Sequence, residues 1–191
     1  VIVAARRTPI GAFQGQFTGV STTDLGATAL RAVLQDSGIE GAEVDECLMG
    51  CVLPAGLRQA PARIASLAAG LPESVGAITV NKVCGSGMRT IMLGHDMIRA
   101  GSARVVLAGG MESMTGAPYL LPKGRGGYRM GHGQVLDHMM YDGLENASNG
   151  APMGNFAENT ADRYGFTREA QDDYARASVN RAREAIEGGA F

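Results

Sequence analysis

Short apolar runs alternate with helix-like apolar spacing along the first part of the chain. The apolar runs predict four β-strands, at residues 1–5, 44–52, 77–80 and 104–108. Between them, apolar residues recur three or four positions apart, with start and stop signals that predict helices at residues 21–38, 61–69 and 85–100. Strands that alternate with helices are typical of a parallel or mixed sheet covered by helices. The pattern therefore predicts an α/β fold.

The second part of the chain has a different character. Residues 120–133 contain five glycines and little hydrophobic periodicity, which predicts a loop. Helical spacing returns at residues 157–164, and Thr167 is a good N-cap for a final helix at residues 167–187.

The predicted loop contains three cationic side chains, Lys123, Arg125 and Arg129. Two interpretations stay open at this point. The cations either contact a phosphate group or belong to a solvated or subunit-contacting loop, and the second interpretation is favoured.

Composition excludes several classes of protein. The 191 residues are 45% hydrophobic and 19% charged with a formal net charge of −2, which is typical of a soluble globular protein. The near-neutral charge gives no basic surface for nucleic acid, whereas small anionic partners stay possible. No segment approaches the roughly 20 apolar residues of a membrane span. The N-terminal residues do not have the order of a signal peptide.

The three cysteines are odd in number and form no disulfide-like framework, which suits a reducing cytoplasm. Cys47 and Cys51 are four residues apart, a spacing that invites a metal-site interpretation. A zinc site needs further Cys or His ligands, and none are paired nearby. We therefore favour a buried strand, in which a free cysteine behaves as a small apolar residue, and we predict no metal site.

Cys84 lies where the third predicted strand leads through a short turn into a helix. The backbone amides at a helix N-terminus favour a thiolate and can hydrogen-bond an oxyanion on a bound carbonyl. Gly85 and Gly87 would keep the approach open for a thioester, since a Cβ at either position would crowd the substrate. On these local features alone, a structural and a nucleophilic role for Cys84 are equally supported.

A nucleophile for carbon–carbon bond chemistry also needs a general base and acid. His95 follows Cys84 by eleven residues on the same predicted helix, about 16 Å along the axis, so it cannot be that base. We expect His132 and His138 to lie in the loop, from which they could approach Cys84, but the sequence does not place them.

Several ordered motifs resemble those of the thiolase family. NKVCGSGMR is similar to the thiolase motif N-x-x-C-G-S-G, and the match begins at VIVAARRTPIGAF and QAPARIASLAAGLP. It continues through VVLAGGMESMTGAPY, YDGLENASNGAPMGNFAENTA and REAQDDYARASVNRA. Ordered motifs over almost the whole chain are far more specific than one cysteine in a turn.

The resemblance implies the N-terminal half of the thiolase fold, with a mixed β-sheet covered by helices. It implies a core domain at residues 1–115 and, at residues 116–191, the beginning of a loop domain that covers the CoA site. By this likeness Cys84 is the catalytic residue that accepts the acyl group, and its own backbone N–H helps to hold the thioester oxygen. Leu144 and Met153 match substrate-binding positions that pack on the pantetheine arm.

Two features depart from the family pattern. Many short-chain thiolases have His immediately before the Met of M-G-x-x-A-E-N, and Pro152 stands there instead. The family's G-H-P histidine, its C-x-G-G-G cysteine and its N-E-A-F asparagine do not occur in these residues. His132 stands in G-H-G and is not that histidine.

These features lead us to expect an acyl-CoA C-acetyltransferase that moves an acetyl group between CoA thioesters through acyl-Cys84. Its partners would be acyl-CoA and CoA, with no metal or redox cofactor, no nucleic acid and no membrane, in a cytoplasmic homodimer or homotetramer. One alternative is a decarboxylating ketoacyl synthase-like enzyme of the same superfold. Another is a non-catalytic CoA-binding half-chain, and we expect the 191-residue chain alone to be inactive.

Overall fold

The structure is a computed structural model that describes residues 1–190. The chain divides into two compact units, Val1–Gly143 and Leu144–Phe191. The first unit contains the helices α1 (Thr22–Ser37), α2 (Pro61–Ala68) and α3 (Ser86–Ala100) and the strands β1 (Glu46–Gly50), β2 (Gly76–Val80), β3 (Val106–Gly110), β4 (Tyr119–Leu120) and β5 (Leu136–Asp137). A 3₁₀ turn, Gly41–Glu43, precedes β1, and a π-helical turn, Met139–Leu144, follows β5.

Strands β1, β2 and β3 form a parallel sheet with β1 in the centre. The order is β2-β1-β3, and Glu46 pairs with Gly76 on one side and with Val106 on the other. The α/β class is confirmed. The expected mixed sheet is not seen among the described strands: these three are all parallel, and the antiparallel pairing of β4 with β5 forms a separate ladder.

The two faces of β1 contact different helices. Cys47, Met49 and Cys51 alternate along one face and join a buried core with Leu30 of α1 and Ala65 of α2. The central strand of a parallel sheet is buried on both faces, so Cys47, Leu48 and Met49 are apolar in succession rather than at alternate positions.

The other face of the sheet supports α3, and glycines allow a close approach. A Cβ on Gly50 would lie 2.6 Å from the backbone N of Gly87, and one on Gly110 would lie 3.2 Å from the Cα of Gly87. The Thr90 hydroxyl lies 2.7 Å from the carbonyl oxygen of Gly87 and 2.9 Å from that of Gly109, so it links the helix to β3. The start of α3 is thereby fixed against the ends of two strands.

Helix α3 also carries apolar side chains that are exposed in this structure. They are Met88, Ile91, Met92 and Ile98.

The predicted strand at residues 1–5 is wrong. Residues 1–10 form no regular element, and Val1, Ile2 and Val3 are exposed. An apolar run becomes a strand only when a neighbouring strand satisfies its backbone N–H and C=O groups. No described strand pairs with this run, so β-propensity alone did not produce a strand.

Two other strands form with shifted ends, because carboxylates from distant parts of the chain accept the neighbouring backbone N–H groups. β3 begins two residues later than predicted, because the Asp45 carboxylate accepts the N–H groups of Arg104 and Val105 at 2.7 and 3.0 Å. Both hydrogen bonds lower the pKa of Asp45, and the bond from Val105 has the larger effect. β1 ends at Gly50, and the N–H groups of Val52 and Leu53 donate to Glu112 instead of extending the ladder.

The second unit contains the helices α4 (Met153–Tyr164) and α5 (Arg168–Glu187). α4 begins earlier than predicted, directly after Pro152, whose extended backbone precedes the first turn. It ends at Gly165 in a left-handed conformation, with φ of 67°, which glycine adopts without strain. The predicted N-cap of α5 is confirmed, since the Thr167 side chain accepts the Ala170 N–H at 3.2 Å. Within the described part of the chain, no helix combines the length and the apolar character needed to cross a membrane.

Candidate active site

Cys84 lies in the turn that joins the carboxyl end of β2 to the start of α3, and it is exposed. Ligands of open parallel sheets bind outside the carboxyl ends of the strands. The structure therefore confirms the predicted strand–turn–helix position, and Cys84 is exposed at the carboxyl end of β2.

The turn has a strained backbone held by three side-chain hydrogen bonds. Val83 has φ of 47°, in the left-handed region that β-branched residues avoid. Its N–H donates to Asn81 Oδ1 at 2.9 Å, and its carbonyl oxygen accepts the Ser86 hydroxyl at 2.6 Å. Ser86 Oγ also accepts the Lys82 N–H at 2.8 Å. Strained residues of this kind persist only where the surroundings hold them, and they concentrate at functional sites.

The backbone amides of the turn differ in what they can offer a substrate. The Gly85 N–H donates to the Lys82 carbonyl at 3.1 Å, and the Ser86 N–H donates to the Val83 carbonyl at 3.0 Å. The Cys84 N–H has no hydrogen-bond partner among residues 1–190. Of these three amides, that of Cys84 is the one open to an oxyanion.

The proposed reason for the glycine at position 87 needs correction. A Cβ on Gly87 would point at the sheet, 3.6 Å from the Cα of Gly110, and not toward the substrate side of Cys84. A Cβ on Gly85 would lie 3.4 Å from the Lys82 carbonyl oxygen, within its own turn. Gly87 therefore serves the packing of α3 on the sheet.

Sequence reasoning missed Glu112, which organises the segment after β1. Its Oε2 accepts the Val52 N–H at 2.8 Å, and its Oε1 accepts the Leu53 N–H at 3.0 Å. The Cys51 thiol lies 3.7 Å from the same Oε1. The motif GGMESM contains this residue, but nothing local shows that its partners lie about sixty positions away.

Cys47 and Cys51 are buried thiols, as predicted. Burial raises the pKa of Cys47 to about 11. Burial, and then the charge of Glu112, raise the pKa of Cys51 to about 12. Both therefore stay protonated near neutral pH. Residues 1–190 hold no group of three or more His, Cys, Asp or Glu side chains suited to a metal ion.

None of the three histidines is hydrogen-bonded to Cys84 in the described structure. His95 is exposed on α3, with Nδ1 3.3 Å from Asp96. His138 is buried, and both of its ring nitrogens are occupied: Nδ1 donates to Asp142 at 2.5 Å, and Nε2 accepts the Ala55 N–H at 3.3 Å. His132 lies in the exposed loop. None of these three histidines is therefore identified as the base for the proton transfers at Cys84.

Leu144 and Met153 flank an isolated bridge in the second unit. Glu145 and Pro152 form this antiparallel bridge, which brings together the two stretches of chain that contain Leu144 and Met153. Leu144 is half-buried, and Met153, the first residue of α4, is exposed. Their contact with a pantetheine arm stays a prediction.

The cations of the predicted loop are all exposed. Lys123, Arg125 and Arg129 form no ion pair with any other residue in positions 1–190. The loop itself is confirmed, since residues 121–133 form turns, bends and irregular backbone with no helix or strand.

Comparison with known proteins gives one consistent result. A family model described as "Thiolase, N-terminal domain" matches residues 1–191. The acetyl-CoA acetyltransferase of Pseudomonas aeruginosa is 51% identical over 191 residues, which is 100% of this chain and 49% of the relative. The acetyl-CoA acetyltransferase of Escherichia coli is 52% identical over 192 residues, and a probable acetyl-CoA acyltransferase of Staphylococcus aureus is 48% identical over 191, with the same coverage in each case. The chain spans about half the length of the curated relatives it matches.

Proposed function

The chain belongs to the thiolase family, and from that premise we propose that the protein transfers acetyl groups between CoA thioesters through an acyl intermediate on Cys84. The observation that carries the proposal is the exposed Cys84 in a held strand-to-helix turn, with its own N–H unpaired. The relatives named acetyl-CoA acetyltransferase support the choice of substrate.

The chemistry divides into two steps. In the first, a general base takes the proton of the Cys84 thiol, the thiolate attacks the thioester carbonyl of an acyl-CoA, the carbon–sulfur bond to CoA breaks, and the same group returns the proton to the departing CoA sulfur. The Cys84 N–H donates to the oxyanion of the tetrahedral intermediate. In the second, C2 of an acetyl-CoA loses a proton and attacks the acyl-Cys84 carbonyl, which returns the Cys84 thiolate and releases a 3-ketoacyl-CoA.

The reverse direction is thiolytic cleavage of a 3-ketoacyl-CoA by the same intermediates. Neither direction, as written, uses a metal or redox group. Both need a general base and acid near Cys84, and no hydrogen bond in the described residues joins Cys84 to such a group.

Other parts of the proposal depend on the family resemblance. Residues 116–191 would begin the loop domain that covers the CoA site, with Leu144 and Met153 on the pantetheine arm. The exposure of Met153, and the bridge between the residues adjacent to Leu144 and Met153, support that assignment. The homodimeric or homotetrameric state and the cytoplasmic location stay predictions as well.

Peptide mass spectrometry after incubation of the whole protein with acetyl-CoA tests the proposal. We expect the acetyl group on Cys84, no label in Cys84→Ala, and none on the buried Cys47 and Cys51 in the same digest. Label that persists in Cys84→Ala would refute the assignment. Thiolysis of acetoacetyl-CoA supports a thiolase, whereas decarboxylation of malonyl-CoA without thiolysis would favour the ketoacyl synthase-like alternative.

A further inference from the structure

The segment that follows β1 is fastened by a side chain from a distant part of the chain. The half-buried Glu112 accepts the N–H groups of Val52 and Leu53 at 2.8 and 3.0 Å, one on each carboxylate oxygen. The neutral Cys51 thiol beside Oε1 adds a third donor. Glu112 therefore fixes the peptide of Val52 in position and orientation.

That peptide also contacts the turn of Cys84. The Val52 carbonyl oxygen accepts Asn81 Nδ2 at 3.4 Å, and Asn81 Oδ1 accepts the N–H of the strained Val83 at 2.9 Å. A continuous series of hydrogen bonds thus runs from Glu112 through Val52 and Asn81 to the residue before Cys84. Polarised series of this kind hold a geometry more firmly than isolated bonds do.

We propose that Glu112 is a positioning residue that holds the Cys84 turn through Val52 and Asn81. The proposal deepens, and depends on, the proposed role of Cys84 as the acyl acceptor. The effect of Glu112 on the reaction passes through these residues, Val52 and Asn81, without contact between Glu112 and the reacting sulfur. It keeps the turn in the one backbone conformation that sets the Cys84 sulfur and N–H at the start of α3.

The substitution Glu112→Gln in the whole protein tests this inference. The amide keeps the shape but presents an NH₂ group to one of the two backbone N–H donors, so that bond is lost. Cys84 is already exposed, so access does not limit its alkylation. We expect iodoacetamide to modify Cys84 about fivefold more slowly, which corresponds to losing one helix N-terminal interaction. For acetoacetyl-CoA thiolysis, kcat should fall at least about tenfold with little change in KM.

A matched control separates positioning from general loosening. Asp45 also accepts two backbone N–H groups, those of Arg104 and Val105, at nearly the same distances, but it precedes β1 and so lies at the opposite end of the sheet. Both of these bonds are to Asp45 Oδ2, so Asp45→Ala removes them together. Asp45→Ala should lower the melting temperature and leave the alkylation rate of Cys84 unchanged. An unchanged rate in Glu112→Gln, or an equal slowing in Asp45→Ala, would overturn the proposal.

The variant Asn81→Ala tests the connection itself. Asn81 is exposed, so its removal spares the core, and Cys84 alkylation should slow as in Glu112→Gln. The double variant should slow it less than the product of the two single effects, because both cut the same series. Fully multiplicative effects would refute the connection, and Asn81→Ala alone decides the matter if Glu112→Gln does not fold. Alkylation needs no turnover, so a wild-type protein without thiolysis would refute the proposed function and leave this test valid.

Discussion

The spacing between α3 and the sheet yields a sharp prediction at Gly50, the last residue of β1. A Cβ at this position would lie 2.6 Å from the backbone N of Gly87 and from the carbonyl carbon of Ser86, and 2.8 Å from the Cβ of Ser86. Two of these atoms belong to the backbone of α3, which cannot move aside as a flexible side chain can. The substitution Gly50→Ala must therefore move the start of the helix.

The distances set the size of that movement. Ordinary contact begins near 3.4 Å, so the first turn of α3 has to shift by about 0.8 Å. Overpacking of this kind costs about 1–3 kcal/mol of folding free energy. The shifted turn carries the Cys84 site, and a displacement near 1 Å lowers catalytic rates by about a hundredfold. We expect kcat to fall by about tenfold to a hundredfold.

The assay compares Gly50→Ala with Gly41→Ala in the whole protein. A Cβ on Gly41 would lie 3.4 Å from Pro72 Cδ, an ordinary contact, and Gly41 precedes β1, whereas Gly50 ends it. Urea unfolding and steady-state thiolysis of acetoacetyl-CoA are measured for both. Gly41→Ala should change the free energy of unfolding by less than about 0.5 kcal/mol and leave kcat unchanged.

The reasoning would be refuted by a Gly50→Ala protein with the wild-type free energy of unfolding and kcat. That result would mean that the sheet or the helix accommodates a methyl group without moving the Cys84 turn. A stability loss with unchanged kcat would show that the spacing supports the fold and not the site.

Three further predictions concern the substrate channel, the buried thiols and the isolated chain. Met153→Asp should raise KM for acyl-CoA with little loss of thermal stability, since Met153 is exposed; parallel losses of both would mark it as structural. Cys47 has a pKa of about 11, above that of about 8.5 in an unfolded chain, so its contribution to stability is complete below pH 8.5 and is lost as the pH rises toward 11. The urea midpoint of the wild-type protein should fall over that pH range, and that of Cys47→Ala should fall less steeply. An equal pH dependence of the two midpoints would contradict this. The 191-residue chain alone should not cleave acetoacetyl-CoA, and turnover abolished by Cys84→Ala would show that it contains a base.

Much of the architecture followed from the sequence because local patterns encode it. Apolar runs and helical spacing located β1, β2 and the helices α1 to α3, and the N-cap preference of Thr167 marked the start of α5. The ordered motifs around NKVCGSGMR identified the family, and the apolar run and helical spacing on either side placed Cys84 between a strand and a helix. These are properties of neighbouring residues, which a single sequence contains in full.

Contacts between distant residues were decided only by the tertiary structure. Residues 1–5 have the composition of a strand but no described neighbour to pair with, and a strand is a property of two segments. Gly87 faces Gly110 and not the substrate side, because the packing of α3 sets its orientation. Glu112 bonds to Val52 and Leu53, and His138 to Ala55. No periodicity records such partners, because the sheet brings them together only after the chain has folded.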